Sequence, residues 1–365
     1  MQPVTFMKLT YSSLWLTIIF FSLTFFGDHG GARVTLPQNV VVPAVIAFGD
    51  SIVDQGANNN LNTLIKANFS PYGKDFVGGK PTGRFTNNRT PADMIAEELG
   101  VKEILPAFDD LSLNDKELLS GLSFASGGSG YDPETPKLVG VLSMADQLNN
   151  FKGYIEKLKG IVGEERTRFI LANSLFIVVA SSNDLANTYF TLGVRKLHYD
   201  ISSYTDLMVS SASNFIQDIY NLGSRRIAVF GAPPLGCLPA QRTLNGGDLR
   251  VCAEDQNNAA QLYNNKLQPE VEYLNRTHLE SRIVYIDIYN PLLDIMQHPG
   301  QYGLEVVDKG CCGTGNLEAA ILCNRFLPTC VDPSKYLFWD SYHPTDKGYN
   351  ILMNQVVGKY VNDFF

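Results

Sequence analysis

Ser51 stands in Phe48-Gly49-Asp50-Ser51, directly after an apolar, Val-rich run that begins at Val40. A serine hydroxyl is a weak nucleophile. It needs a base within hydrogen-bond reach, and that base needs a third group to orient it. The chain offers five histidines for the role. His29 sits in the N-terminal segment, His278 beside a glycosylation acceptor, His298 before Pro299, and His198 in a polar stretch. His343 differs, because Asp340 precedes it by three residues in Trp339-Asp340-Ser341-Tyr342-His343-Pro344. On one tight turn the Asp340 carboxylate can take the imidazole Nδ1–H and leave Nε2 free to accept the serine proton. Ester cleavage also needs donors placed at the developing oxyanion. The candidates are the Ser51 N–H, a glycine N–H from Gly127-Gly128-Ser129-Gly130, and the Asn183 side-chain amide. Each motif also has a plainer use. Asp-Ser pairs, asparagines and glycines make turns, and Asp340 can cap the helix that follows it.

The elements around these residues are read from hydrophobic pattern and end signals. Apolar runs at Val41–Phe48, Leu122–Ser126, Ser174–Ala180, Arg226–Phe230 and Arg282–Ile288 predict five strands. Three of them end in the polar or Gly-rich turns that carry Ser51, Gly127–Gly130 and Asn183. Helical patterns lie between them. Thr90 caps a helix to Leu99, with Pro91 at its first position and Gly100 beyond its end. Ser143 and Asp146 open a second helix, with Leu148, Phe151, Ile155 and Leu158 on one face. Further helices are predicted over Ser202–Leu222, Glu254–Tyr273 and Thr345–Tyr360. The stretch between Ile288 and about Tyr336 is expected to be irregular. Alternating strands and helices predict an α/β fold, a three-layer α/β/α sandwich around a mostly parallel five-stranded sheet. In such sheets ligands bind at the carboxyl ends of the strands.

The chain has 365 residues and a formal charge of −8. It shows no linker, repeat or basic stripe, so one domain over residues 32–365 is expected and nucleic acid is excluded as a partner. Lys8 and the apolar run Leu14–Phe26 read as a signal peptide over residues 1–31, with cleavage between 27 and 33. That run is shorter than the roughly 18–20 residues that span a bilayer, so no stable membrane anchor is expected after cleavage. A secreted, extracellular protein follows. Asn68, Asn88 and Asn275 begin Asn-x-Ser/Thr acceptors for N-glycans. The six cysteines, Cys237, Cys252, Cys311, Cys312, Cys323 and Cys330, are even in number and lack zinc-ligand spacing. Three disulfides are expected. Cys237 and Cys252 form the cheapest local pair, and the other four staple Gly310–Val331. No metal or organic cofactor is expected.

Four blocks now stand in order: Phe48-Gly49-Asp50-Ser51, Phe124-Ala125-Ser126-Gly127-Gly128, Ser182-Asn183-Asp184 and Asp340-x-x-His343. Together they resemble the GDSL, or SGNH, hydrolases. The flanking Asp54-Gln-Gly56-Ala-Asn58-Asn59-Asn60, Pro81-Thr-Gly83-Arg84-Phe85 and Gly310-Cys-Cys-Gly313 are similar to the plant secreted GDSL esterase/lipase subfamily. The wording around Gly128–Asp146 resembles its anther-type extracellular lipase branch. The resemblance implies a flavodoxin-type sandwich, with Ser51 as nucleophile, His343 as base and Asp340 as its orienting acid. It implies an oxyanion hole from the Ser51 amide, Gly128 and Asn183, and a small-molecule or lipid ester as substrate. One position departs from the family pattern: Ser181 stands where a glycine is usual, two places before Asn183. No G-x-S-x-G elbow is present, which sets the chain apart from the ordinary α/β-hydrolases. The alternatives are a non-catalytic binding or coat protein on the same scaffold, or an acyltransferase using the same acyl-enzyme.

Overall fold

Four short strands make the frame: β1 (Val45–Gly49), β2 (Leu175–Val179), β3 (Arg226–Phe230) and β4 (Arg282–Ile286). All neighbours run parallel, in the order β1-β2-β3-β4. β1 and β2 are buried along their whole length. That is why they read as continuous apolar runs rather than alternating ones. The computed structural model describes residues 36–37, 40–315, 317 and 323–365. The expected signal segment, its expected cleavage window and His29 lie outside the described residues. Val34–Phe365 forms one compact unit.

The expected fifth strand, Leu122–Ser126, is only partly realised. It runs parallel to β1, and Ala47 donates to the Leu122 carbonyl and accepts from the Phe124 N–H. Beyond that bridge only half of the ladder continues: the Ser126 N–H still donates to the Gly49 carbonyl at 3.0 Å, but the Gly49 N–H turns to Gln147 Oε1 at 2.8 Å. Among the described residues the main sheet therefore has four regular strands, with this segment hydrogen-bonded along its β1 edge. With the segment counted second, the order is 2-1-3-4-5, the flavodoxin-like one. The switch point falls between β1 and β2, where chain connections leave in opposite directions and a crevice opens.

Nine α-helices are described: α1 (Pro91–Glu98), α2 (Asp115–Leu118), α3 (Glu134–Val139), α4 (Met144–Asn173), α5 (Ile201–Asn221), α6 (Pro239–Asn245), α7 (Glu254–Thr277), α8 (Tyr289–Gln297) and α9 (Asp346–Tyr360). The cap signals work as read. The Ser143 Oγ accepts the Asp146 N–H at 3.1 Å, and the Asp146 carboxylate accepts the Ser143 N–H at 2.9 Å. The Thr345 Oγ1 likewise accepts the Gly348 N–H. Helices α4, α5 and α7 cover one face. There the Phe48 ring of β1 meets Phe151 of α4 edge-on at 5.3 Å and Phe215 of α5 at the same distance. Helices α1 and α9 pack on each other against the opposite face.

The stretch expected to be irregular holds a second, two-stranded parallel sheet. It pairs β5 (Val306–Gly310) with β6 (Tyr336–Phe338). Most of β5 is half-buried, and its sequence Val-Val-Asp-Lys-Gly has no period-2 apolar face, so the pattern rule passes over it. Helix α8 precedes this sheet and also falls within the stretch expected to be irregular. The three bridges are Cys237–Cys252, Cys311–Cys330 and Cys312–Cys323.

Candidate active site

β1 ends against β2 with no room to spare. A Cβ on Gly49 would lie 1.8 Å from the Val179 carbonyl oxygen, and Gly49 has a φ of +132°. Only glycine fits there. Gln147 of α4 clamps the same residue, donating to the Gly49 carbonyl at 2.9 Å while accepting its N–H. The Asp50 N–H donates to the Val179 carbonyl at 2.9 Å. Ser51 is therefore the second residue beyond a ladder pinned on both sides.

The Gly-rich turn is held from the Asp54–Asn60 loop. Asp54 Oδ2 accepts the Gly127 N–H at 2.8 Å, and Asn58 Nδ2 donates to the Gly127 carbonyl at 2.8 Å. This is the physical content of the Asp-x-Gly-x-Asn motif. It also decides between the glycines. The Gly127 N–H is spent on Asp54, and Gly130 is packed against the Asp184 carboxylate. Gly128, with a φ of +89°, lines the cleft beside Ser51. Among the described residues neither the Ser51 nor the Gly128 N–H has a protein acceptor.

Asn183 caps a π-helical turn, Asp184–Thr191. Its Nδ2 gives one hydrogen to the Ser129 carbonyl at 2.9 Å, and its Oδ1 accepts from Asn187 Nδ2 at 2.9 Å. An amide with its oxygen so occupied cannot flip, and its second N–H remains for the cleft. Asn187 in turn accepts from the Tyr342 hydroxyl at 3.3 Å. Ser181 is buried, and Asn183 lines the cleft with it in place.

His343 arrives from the other end of the chain. Its Nε2 is 2.7 Å from Ser51 Oγ. Its Nδ1 lies 2.9 and 2.8 Å from the two Asp340 oxygens. The Tyr342 and His343 N–H groups both donate to Asp340 Oδ1 at 2.8 Å, closing the turn the spacing predicted. The Phe85 ring lies tilted by 37° against the imidazole with centroids 5.1 Å apart, and neighbouring Arg84 is locked to Asp93 by paired hydrogen bonds. Tyr72 donates its hydroxyl to Asp340 Oδ2 at 2.7 Å across 268 residues of sequence.

Electrostatics sort the buried carboxyls. Burial alone would raise Asp340. The adjacent His343 ring and the hydrogen bonds from His343, Tyr72 and the Tyr342 N–H outweigh it and hold the carboxyl below its usual range. Asp50, whose Oδ2 has no partner, is pushed up to about 7 by burial despite the Ile52 N–H and His343. Burial raises Asp54 to about 6, moderated by the N–H groups it accepts, and Asp184 to about 8, moderated by the Thr135 hydroxyl and the Tyr131 and Asp132 N–H groups. Asp340 is thus the carboxylate of this cluster suited to stay ionised beside an imidazolium.

The cleft holding Ser51, Asn183 and His343 has a volume of about 490 Å³ and predominantly apolar walls, among them Ile65, Val139, Leu238, Ile288 and Leu292. A larger polar groove of about 830 Å³ lies along β4 and α7 and contains none of these residues. Of the sequons, Asn68 and Asn275 are exposed and Asn88 is half-buried. Tyr72, Gln147 and Asn187 escaped sequence reasoning. None of the three lies inside a motif quoted above, and nothing local marks a residue whose partner is 98 to 268 positions away.

Among the described residues no helix is long and apolar enough to cross a membrane. The profile of the family described as GDSL-like Lipase/Acylhydrolase matches residues 45–356. GDSL esterase/lipase EXL3 of Arabidopsis thaliana is 57% identical over 332 residues, 91% of each chain. GDSL esterase/lipase At5g42170 of the same plant is 50% identical over 91% of this chain and 90% of its own. A solved acetylxylan esterase, Axe2 of Geobacillus stearothermophilus, aligns distantly, at 11% identity and a TM-score of 0.40 over 87% of this chain and 94% of that one. The extent of the first two matches, together with a profile that covers all four blocks, places this chain in the GDSL lipase/acylhydrolase family, as a serine hydrolase of carboxylic esters.

Proposed function

We propose that Ser51 is the nucleophile of this hydrolase, His343 its base and Asp340 the acid that orients the base. The observation that carries this reading is the 2.7 Å contact between Ser51 Oγ and His343 Nε2, with Asp340 closed on the other nitrogen. Ser51 Oγ attacks the ester carbonyl while Nε2 takes its proton, and Asp340 stabilises the imidazolium without accepting that proton. The oxyanion forms against the N–H groups of Ser51 and Gly128 and the free hydrogen of Asn183 Nδ2. Collapse breaks the ester C–O bond, and His343 returns the proton to the leaving alcohol. Water then repeats the sequence on the acyl-enzyme, with His343 as base again. The apolar walls of the cleft favour a hydrophobic, lipid-like acyl group.

The same reading places the mature protein outside the cell. The N-terminal apolar run, the Asn-x-Ser/Thr acceptors at Asn68, Asn88 and Asn275, and three disulfides support it. Labelling with a fluorophosphonate and mapping the modified peptide tests the nucleophile. Modification at Ser51 is expected, and a label on any other serine overturns the assignment. Product analysis with an added alcohol separates hydrolysis from acyl transfer.

A further inference from the structure

Singly exposed apolar side chains are ordinary on a protein surface. Four on the rim of one cleft are not. Leu64 is 95% exposed, Leu192 55%, Leu138 38% and Phe69 37%, and all four line the cleft that holds Ser51. They come from three segments tied together beneath the rim. The Thr63 hydroxyl donates to the Val139 carbonyl at 2.6 Å, joining the Leu64 loop to the end of α3, where Leu138 sits. Thr135 of α3 and Thr188 of the π-helical turn share a hydrogen bond of 2.8 Å, which fixes the element that ends at Leu192. The rim is therefore a built collar, continuous with the apolar wall inside.

Its charge says what it meets. Among the described residues Lys66 is the only lysine or arginine lining this cleft, and the chain as a whole carries −8. An anionic bilayer is bound by clusters of several basic residues, and the described lining of this cleft supplies no such cluster. We propose that the collar of Leu64, Phe69, Leu138 and Leu192 seats the enzyme on the surface of an uncharged lipid aggregate, so that esters pass from that surface into the cleft without crossing water. The proposal rests on the ester-hydrolase reading. It adds that the physical state of the substrate, and not only its ester bond, is recognised.

The test uses the double variant Leu64→Asp/Leu192→Asp, which touches none of the reacting groups. Three measurements are made: hydrolysis of dissolved p-nitrophenyl acetate, hydrolysis of an emulsified long-chain triacylglycerol, and co-flotation with those droplets or with phosphatidylglycerol vesicles. Wild type is expected to float with the droplets and not with the anionic vesicles. The variant should keep its rate on the dissolved ester within about twofold, lose flotation, and fall at least tenfold on the emulsion. An unchanged emulsion rate, or an equal fall on both substrates, overturns the proposal. Wild-type flotation with the anionic vesicles alone overturns the assignment of an uncharged surface. A wild type inactive on both esters would count against the hydrolase reading, while flotation would still report on the collar.

Discussion

The two halves of the proposed reacting pair are held by different means. Ser51 and Asn183 stand just past the carboxyl ends of β1 and β2, whose parallel ladder is buried on both faces and continues into β3 and β4. His343 and Asp340 stand just past β6, a three-residue strand in a sheet of two. The Cys311 and Cys312 N–H groups donate to the Phe338 and Trp339 carbonyls, and both cysteines are bridged into the following loop. Hydrophobic burial orders the first site. Covalent closure, added to little secondary structure, orders the second. The same catalytic geometry thus rests on one support that pattern rules detect and one that they miss.

The largest effect expected falls on the weaker support. His343→Ala should lower kcat by about three orders of magnitude or more with the fold retained, because the serine loses its proton acceptor. Near-wild-type turnover of a p-nitrophenyl ester by this variant would mean that another group is the base. On the other side, Asn183→Ala should cost about 10²–10³ in kcat, the usual loss for one preorganised donor. A rise in KM with kcat unchanged would show that the amide binds substrate instead.

Reduction of the disulfides should separate the two supports directly. Each bridge contributes about 2–4 kcal/mol, mainly by restricting the unfolded chain. Ester hydrolysis and far-ultraviolet circular dichroism are followed together as reductant is added. Activity is expected to fall first, while the four-stranded sheet persists. A single coincident loss would mean that the bridges serve the whole fold.

The smallest expected effect is that of Tyr72→Phe, a loss of several-fold in kcat at neutral pH. A buried hydrogen bond to a charged group is worth about 1.5–3 kcal/mol. Its signature lies in the pH dependence. Asp340 has its folded-state pKa depressed, so it contributes stability that is present above the unfolded value of about 3.9 and lost as pH falls through the lower folded value. Without the Tyr72 donor the folded value rises, and the acid limit of both activity and thermal stability should move to higher pH. An unshifted acid limb would reduce Tyr72 to packing.

Much of this was legible because it is local. Thr90, Ser143 and Thr345 announce helix starts through partners three residues away, and Asp340 announces His343 in the same way. The buried strands announce themselves by composition. What escaped is non-local or has no period. Whether Leu122–Ser126 is a full strand depends on whether the Gly49 N–H chooses the Phe124 carbonyl or the side chain of Gln147, which lies 98 residues from Gly49. β5 is too polar and too exposed to read as a strand, and it forms because β6 lies beside it. The role of Asn187 is set by Asn183 on one side and Tyr342 on the other, 155 residues away.

The distance along the chain between the proposed nucleophile and the proposed base has a consequence in time. Ser51 and His343 are 292 residues apart. At about 5–20 residues per second, roughly 15–60 s of synthesis separate them. Throughout that interval the growing chain carries a serine with no proton acceptor. The last strand of the small sheet and the turn that follows it are among the last parts made. On the proposed assignment, ester-cleaving power arises only as the polypeptide is finished, and a truncated product that folds its large sheet is expected to be inert.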